Sequence, residues 1–233
     1  MCHLLPHVLL AKAAIPGHDA ELSCYQHDRD FSFRIGGHEL MTSRIHASEE
    51  MLAELALTRP GAPTVQAVLI GGLGMGFTLA RALALLPAAA RIDVAELVPE
   101  VVDWNRDLLG HCAGHPLRDE RVHVVIGDVG EVMAQGRERY DAILLDVDNG
   151  PDGLTRPANG EIYGDRGLVR ARNALRPGGA LAVWSSAQDT PFAKRLRGVG
   201  FAVQEHTVRA RGHKGPRRTI WIAGKLPPRG GAG

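Results

Sequence analysis

The chain has 233 residues, 45% of them hydrophobic and 23% charged, which suits one large globular domain with a small appendage and excludes disorder, collagen and coiled coil. Its 27 basic and 26 acidic side chains nearly cancel, so no global charge draws it to nucleic acid or an anionic membrane. No apolar run approaches the roughly 20 residues of a membrane span, and the widely spaced Cys2, Cys24 and Cys112 are no disulfide framework and suit a reducing cytosol.

In chain order, residues 4–14 are apolar, but they lack a basic leader and are interrupted by Pro6, His7 and Lys12, so they are not read as a secretory signal. Short strand-like stretches follow at 8–14, 20–26, 31–35 and 38–41. They are punctuated by Pro16-Gly17, Asp28-Arg29-Asp30 and Gly36-Gly37, as hairpins require. A helix is predicted over 48–57, with Ser48 as its N-cap and Met51, Leu52 and Leu55 on one face. The break Arg59-Pro60-Gly61-Ala62-Pro63 separates this region, residues 1–58, from a second one over 64–226. Residues 227–233 read as a disordered tail.

Beyond the break, strands and helices alternate. Strands are predicted at 67–71, 91–96, 122–127, 142–146, 180–185, 201–207 and 219–223, and several are continuous apolar runs, as in strands buried on both faces of a parallel sheet. Helices are predicted at 77–86, 99–109, 130–137, 166–175 and 190–198, with Pro99 in a first turn and Gly110 as a C-terminal cap. The alternation predicts an α/β, Rossmann-like, doubly wound seven-stranded sheet with a small N-terminal β-hairpin domain. The last two strands have no room for a helix between them and should form an antiparallel edge hairpin.

Open α/β sheets bind ligands beyond the carboxyl ends of their strands. The first of these strands runs into Gly71-Gly72-Leu73-Gly74-Met75-Gly76 and then directly into a helix, which suits close approach of a ligand to backbone. Glu96 ends the next strand, on the order of 20 residues further on, where an acid accepts ribose hydroxyls. Asp128, before Val129, ends the third and suits either an adenine amine or a helix cap. Asp146 ends the fourth, and Asp148 lies two residues on, facing the same way in extended chain. Mutual repulsion would raise the pKa of one of them, giving a general base or a socket for a cation. Together these acids fit adenosine plus a positively charged group.

These residues resemble the spermidine-synthase-like branch of class I S-adenosylmethionine-dependent transferases. Val68-Leu69-Ile70-Gly71-Gly72 is similar to its first motif and Asp93-Val94-Ala95-Glu96 to its ribose-binding strand. Gly127-Asp128 resembles its adenine site and Tyr140-Asp141-Ala142-Ile143-Leu144-Leu145-Asp146 the strand leading to its catalytic aspartate. Leu175-Arg176-Pro177-Gly178-Gly179 looks like its turn before the fifth strand. The resemblance implies the class I methyltransferase fold, a ribose on Glu96, adenine on Asp128 and the Val129 backbone, and the incoming nucleophile on Asp146, with the N-terminal hairpins as a lid. It implies donor contacts from Gly71, Gly72, Gly74 and Gly76, with Arg44, Glu49, Glu50 and Tyr163 as candidate substrate-binding side chains and His46 as a second candidate base.

Three departures bear on the substrate. The family's Gly-Gly-Gly-Asp-Gly loop holds the amine of an aminopropyl group on its aspartate, whereas Leu73-Gly74-Met75 has no acid. The family's second loop acid lies three residues beyond the first, and Asp148 lies two beyond Asp146. The lid motif Asp-Glu-Phe-x-Tyr-x-Glu becomes Arg44-Ile45-His46-Ala47-Ser48-Glu49-Glu50. A polyamine is a string of cations that needs a string of acids. The expected donor is therefore S-adenosylmethionine itself, its carboxylate received by Arg44 or the glycine-loop amides, with decarboxylated S-adenosylmethionine as the alternative. The expected activity is transfer of a methyl group to a small amine, the alternative being aminopropyl transfer to a polyamine. A nicotinamide-dependent oxidoreductase and a non-catalytic nucleoside-binding module remain open. The expected setting is a cytoplasmic homodimer acting on a small molecule, with no nucleic-acid or membrane partner.

His111-Cys112-Ala113-Gly114-His115 has metal-like spacing but no second pair, so no metal is expected. The basic run Arg209, Arg211, His213, Lys214, Arg217 and Arg218 reads as a solvated hairpin tip, and Trp104, Trp184 and Trp221 as core or interface.

Overall fold

The computed structural model describes residues 6–60, 63–147, 150–151 and 159–226. Strands β1 (Val8–Ala14), β2 (Glu21–His27), β3 (Asp30–Ile35) and β4 (His38–Thr42) form an antiparallel sheet in chain order. The chain continues through α1 (Ala47–Leu57), β5 (Ala67–Gly71), α2 (Phe77–Leu85), β6 (Arg91–Glu96) and α3 (Pro99–Arg106). After two short turns of 3-10 helix come β7 (Val122–Ile126), α4 (Val129–Ala134) and β8 (Tyr140–Leu145). Then follow α5 (Asn159–Tyr163), α6 (Asp165–Ala174), β9 (Leu175–Ser185), α7 (Thr190–Gly198), β10 (Phe201–Arg211) and β11 (Lys214–Lys225).

The second sheet has seven strands in the order β10-β11-β9-β8-β5-β6-β7. Strands β5 to β9 pair in parallel, and β11 runs antiparallel to both β9 and β10. The edge hairpin expected from the missing helix is thus present. It is also longer than its apolar centre suggested, because β10 and β11 extend past the core as a paired ribbon. The continuous apolar runs are explained by burial on both faces. Val68, Ile70, Ala142, Leu144 and Ile220 enter one core layer, while Leu69, Ile143, Leu145 and Trp221 enter the other. The three tryptophans are all buried, as expected.

Some boundaries move for physical reasons. Ser48 lies inside α1 and its hydroxyl donates to Glu49 Oε2 at 2.6 Å, so it does not cap the helix; the residue before α1 is His46. The inward face of α1 is Ser48, Glu49, Leu52, Ala53 and Ala56, with Met51 and Leu55 only half-buried, because α1 packs simultaneously on α2 and on strands β8 to β11. Helix α3 stops at Arg106, and Gly110 opens a 3-10 turn instead of capping a helix. Helix α4 starts one residue earlier and ends three residues earlier than expected, and α5 was not foreseen.

Buried acids fasten the base of the sheet. Asp93 in β6 is almost fully buried and accepts from Arg91 Nε at 2.8 Å, Arg139 Nη2 at 2.9 Å and the Tyr140 hydroxyl at 2.9 Å. Burial, and then the bond to Asp93, hold the Tyr140 hydroxyl well above its ordinary range. Asp141 accepts from the Gln66 and Ala67 amides at 2.9 and 2.8 Å and from Arg176, fixing the end of the linker to β8. The N-terminal sheet is seated through Phe33 on Trp104 of α3, with ring centroids 5.6 Å apart, and Phe31 on His111 at 5.4 Å.

The Asp93 cluster gives a stability prediction. Asp93→Ala strands a buried phenol and two guanidinium groups and should cost about 2–4 kcal/mol, whereas Tyr140→Phe should cost about 1 kcal/mol. Urea denaturation of both variants measures the difference; equal, negligible losses would mean the cluster contributes nothing.

Candidate functional site

Strand order reverses between β8 and β5, where ligands bind in open α/β sheets. An open cavity of about 1180 Å³, counting its mouth, lies there. Its floor is the carboxyl ends of the strands and its roof is apolar: Ile15, Leu22, Phe33, Ile35, Leu40 and Met41 of the N-terminal region.

Backbone contacts set the floor. The Gly72 amide donates to Ala95 O at 2.9 Å and the Asp146 amide to Gly71 O at 2.9 Å, holding the strand ends level. Gly72 has φ +87°, and a Cβ there would lie 2.5 Å from the Asp146 carbonyl oxygen, so only glycine fits. Gly74, at φ +53°, meets the Met41 thioether. Both line the cavity, whereas Gly71 packs on Val129 and Leu145, and Gly76 starts α2 against Pro116 and Asn105.

Glu96, buried at the end of β6, accepts from the Leu73 amide at 2.8 Å and the Val98 amide at 2.9 Å, so it props the glycine turn from below. Burial pushes its carboxyl up while these amides pull it down, and the upward push is the larger. Asp128 lines the cavity and also caps α4, its Oδ1 accepting from Gly130 N at 2.6 Å. The two readings left open for it are therefore compatible, since Oδ2 remains. Val129 completes that wall.

At the other end stands Asp146. Thr78 Oγ1 donates to its Oδ2 at 2.8 Å and lies 3.3 Å from the Glu49 carbonyl oxygen. The Glu49 side chain, at the first turn of α1, lines the same cavity and is buried. Burial lifts Glu49 to about 7, with the negative charge of Asp146 adding to it, and burial lifts Asp146 to about 6. The acid that Asp146 faces is thus Glu49, from a distant helix. Asp148, expected to be that neighbour, lies outside the described residues.

The remaining candidates stand around the cavity. His46 stacks on Phe77 with ring centroids 4.0 Å apart, and its Nδ1 is 3.0 Å from Glu50 Oε1, too poorly aligned for a hydrogen bond. Phe77 lines the cavity; His46 and Glu50 do not. Arg44 is exposed, 3.8 Å from Asp30, and does not reach the cavity. Arg44 lies in the turn after β4 with its guanidinium in solvent, away from the position expected to receive a carboxylate. Tyr163 is buried, its hydroxyl donating to Val147 O at 3.3 Å, and braces the segment after β8. Sequence reasoning missed Thr78, Met41 and Trp184. Thr78 had one signal, its place directly after the glycine turn; the others had none.

No helix among the described residues is long and apolar enough to cross a membrane. Over 133 residues the chain is 36% identical to putrescine N-methyltransferase 2 of Nicotiana attenuata, a stretch covering 57% of this chain and 33% of the relative. It is 32% identical over 152 residues to a polyamine aminopropyltransferase of Mycobacterium tuberculosis, covering 61% and 28%. The chain thus spans about a third or less of the length of these curated relatives. Its fold matches a spermidine synthase solved with the transition-state analogue AdoDATO and the spermidine synthase of Thermotoga maritima. Each gives a TM-score of 0.74 at 17% identity, covering 93% of this chain and 72% of the other. Residues 45–192 match the spermine/spermidine synthase domain, and the chain belongs to that family.

Proposed function

We propose that the chain is a transferase that moves a methyl group from S-adenosylmethionine to the nitrogen of a small amine. The observation that carries this reading is one cavity with a ribose-type acid, Glu96, at one end of a glycine turn and a buried acid pair, Asp146 and Glu49, at the other. The residues present fit the donor. Glu96, held by the Leu73 and Val98 amides, lines the cavity where ribose hydroxyls would meet its carboxylate. Asp128 Oδ2 is available to an adenine amine, and Gly72 and Gly74 leave open the space a side chain would fill.

When bound, the donor supplies a carbon already activated by a sulfonium, with a neutral thioether as leaving group. The protein's part is alignment, water exclusion and management of one proton. The apolar roof excludes water. Asp146 accepts an N–H of the acceptor and takes its proton as the N–C bond forms and the C–S pair stays on sulfur. Thr78 fixes the carboxylate that does this, and Glu49 adds a second negative charge for the ammonium form on arrival.

Family membership and the mycobacterial relative favour a second reading, aminopropyl transfer from the decarboxylated donor. Against it stands the glycine turn, where Leu73, Gly74 and Met75 supply no acid and the neighbour of Gly74 is the Met41 thioether.

A thermal-shift panel of S-adenosylmethionine, its decarboxylated form, methylthioadenosine and NAD separates the readings. S-adenosylmethionine should shift the chain most and NAD not at all, and Glu96→Ala should weaken the donor at least about ten-fold; preference for the decarboxylated form moves the reading to aminopropyl transfer. In turnover assays Asp146→Asn should retain donor binding and lose about 10²–10⁴ in rate; an unchanged rate removes Asp146 as base. The acid pair also sets a pH dependence. The folded chain holds the Glu49 proton more tightly than the unfolded chain, so stability is full below about pH 4.5 and falls as pH rises toward 7. Glu49→Gln should therefore gain roughly 1–3 kcal/mol over wild type at pH 8 and nothing at pH 4, as read from melting curves at the two pH values.

A further inference from the structure

Each strand tip along the sheet adds one functional group to the cavity floor. Glu96 ends β6, Gly72 follows β5, Asp146 follows β8 and Trp184 lies near the end of β9. The next strand is β11, where Thr219 pairs with Ser185 and Ile220 with Trp184. Arg218 precedes Thr219 and, two residues from Ile220, points to the same face as Trp184, the face covered by α1.

Trp184 lines the cavity and is 6% exposed, yet its Nε1 has no hydrogen-bond partner among the described residues. A buried indole N–H normally finds an acceptor. Over the same ring, 5.6 Å from its centroid, lies the Arg218 guanidinium. Unlike the exposed Arg209, Arg211 and Arg217 of the same ribbon, Arg218 is half-buried. Its protein contacts are two long bonds, 3.5 Å to Ser186 O and 3.4 Å to Arg217 O, and it forms no ion pair among the described residues. It is close enough to Glu49 for its charge to pull that carboxyl down. The Trp184 N–H, without an acceptor among the described residues, therefore lies one strand over from Asp146, and Arg218, behind the Trp184 ring and outside the cavity lining, lies two strand spacings, or about 10 Å of sheet, from it. A polycation would meet an arginine there; a carboxylate would meet a planar guanidinium and an indole N–H.

Resting on the group-transfer reading, we propose that Arg218 and Trp184 form a carboxylate-receiving subsite at the acceptor end of the cavity, so that the acceptor is an amino acid and not a polyamine. Its amine would sit on Asp146 and Glu49 and its carboxylate on Arg218 and the Trp184 N–H.

Calorimetric titration of the full chain, with and without S-adenosylhomocysteine, tests this with three four-carbon probes: 4-aminobutanoate, 1,4-diaminobutane and butylamine. Wild type should bind the aminobutanoate at least about ten-fold more tightly than the diamine. Arg218→Ala should erase that preference with butylamine unchanged, Arg218→Lys should restore part of it, and Trp184→Phe, which keeps the ring and removes the N–H, should weaken the aminobutanoate several-fold. Tighter binding of the diamine, binding of no probe, or a preference that survives Arg218→Ala would overturn the proposal. So would an Arg218→Ala variant that loses affinity for S-adenosylmethionine but not for its decarboxylated form while keeping the acceptor preference, since the carboxylate would then be the donor's. A chain that binds S-adenosylmethionine but prefers the diamine loses only this proposal; one that binds no sulfonium donor loses the group-transfer reading.

Discussion

The site rests on a contact between two backbones. Where β5 and β8 diverge, the Asp146 amide bonds Gly71 O and the Asp146 carbonyl oxygen lies where a Cβ of Gly72 would stand. Any side chain at Gly72 would push the two strand ends apart. With glycine there, the acid after β8 is held against the turn before α2, and Thr78 at the start of that helix is within reach of its carboxylate. The same turn is propped from the other side by Glu96 through the Leu73 amide. One close approach thus fixes the separation of the two acids that give the cavity its two ends.

Electrostatics follow from what covers this floor. The N-terminal sheet contributes apolar side chains, and α1 contributes Glu49, so Asp146 faces a second carboxyl under a roof that excludes water. Both acids are driven toward the protonated form by burial, and each ionisation makes the other harder. An arriving cation would relieve that cost, coupling its binding to loss of a proton. Arg218 lies at the next tip of the sheet, over the Trp184 ring.

Much of the fold was legible because it depends on local pattern. Apolar runs buried on both faces, glycine at the turn after β5, and an acid ending each of β6 and β8 are properties of short stretches. Even the edge hairpin follows from a missing helix. The failures were of another kind. Ser48 has the chemistry of a cap, but its hydroxyl is taken by Glu49, and the face α1 buries is decided by five neighbours rather than by its own periodicity.

The sequence by itself determined the parallel sheet, the glycine turn and the identity of Glu96, Asp128 and Asp146 as the acids at its tips, since strand ends and turn chemistry are written within a few residues. Only the tertiary structure decided which charges meet. It brought Glu49 to Asp146 across most of a hundred residues, left Arg44 in solvent beside Asp30, and set Arg218 over Trp184 by inserting β11 between β9 and β10. Charge acts through space and not along the chain, so the partners of a buried acid emerge only when the strands carrying them have been ordered.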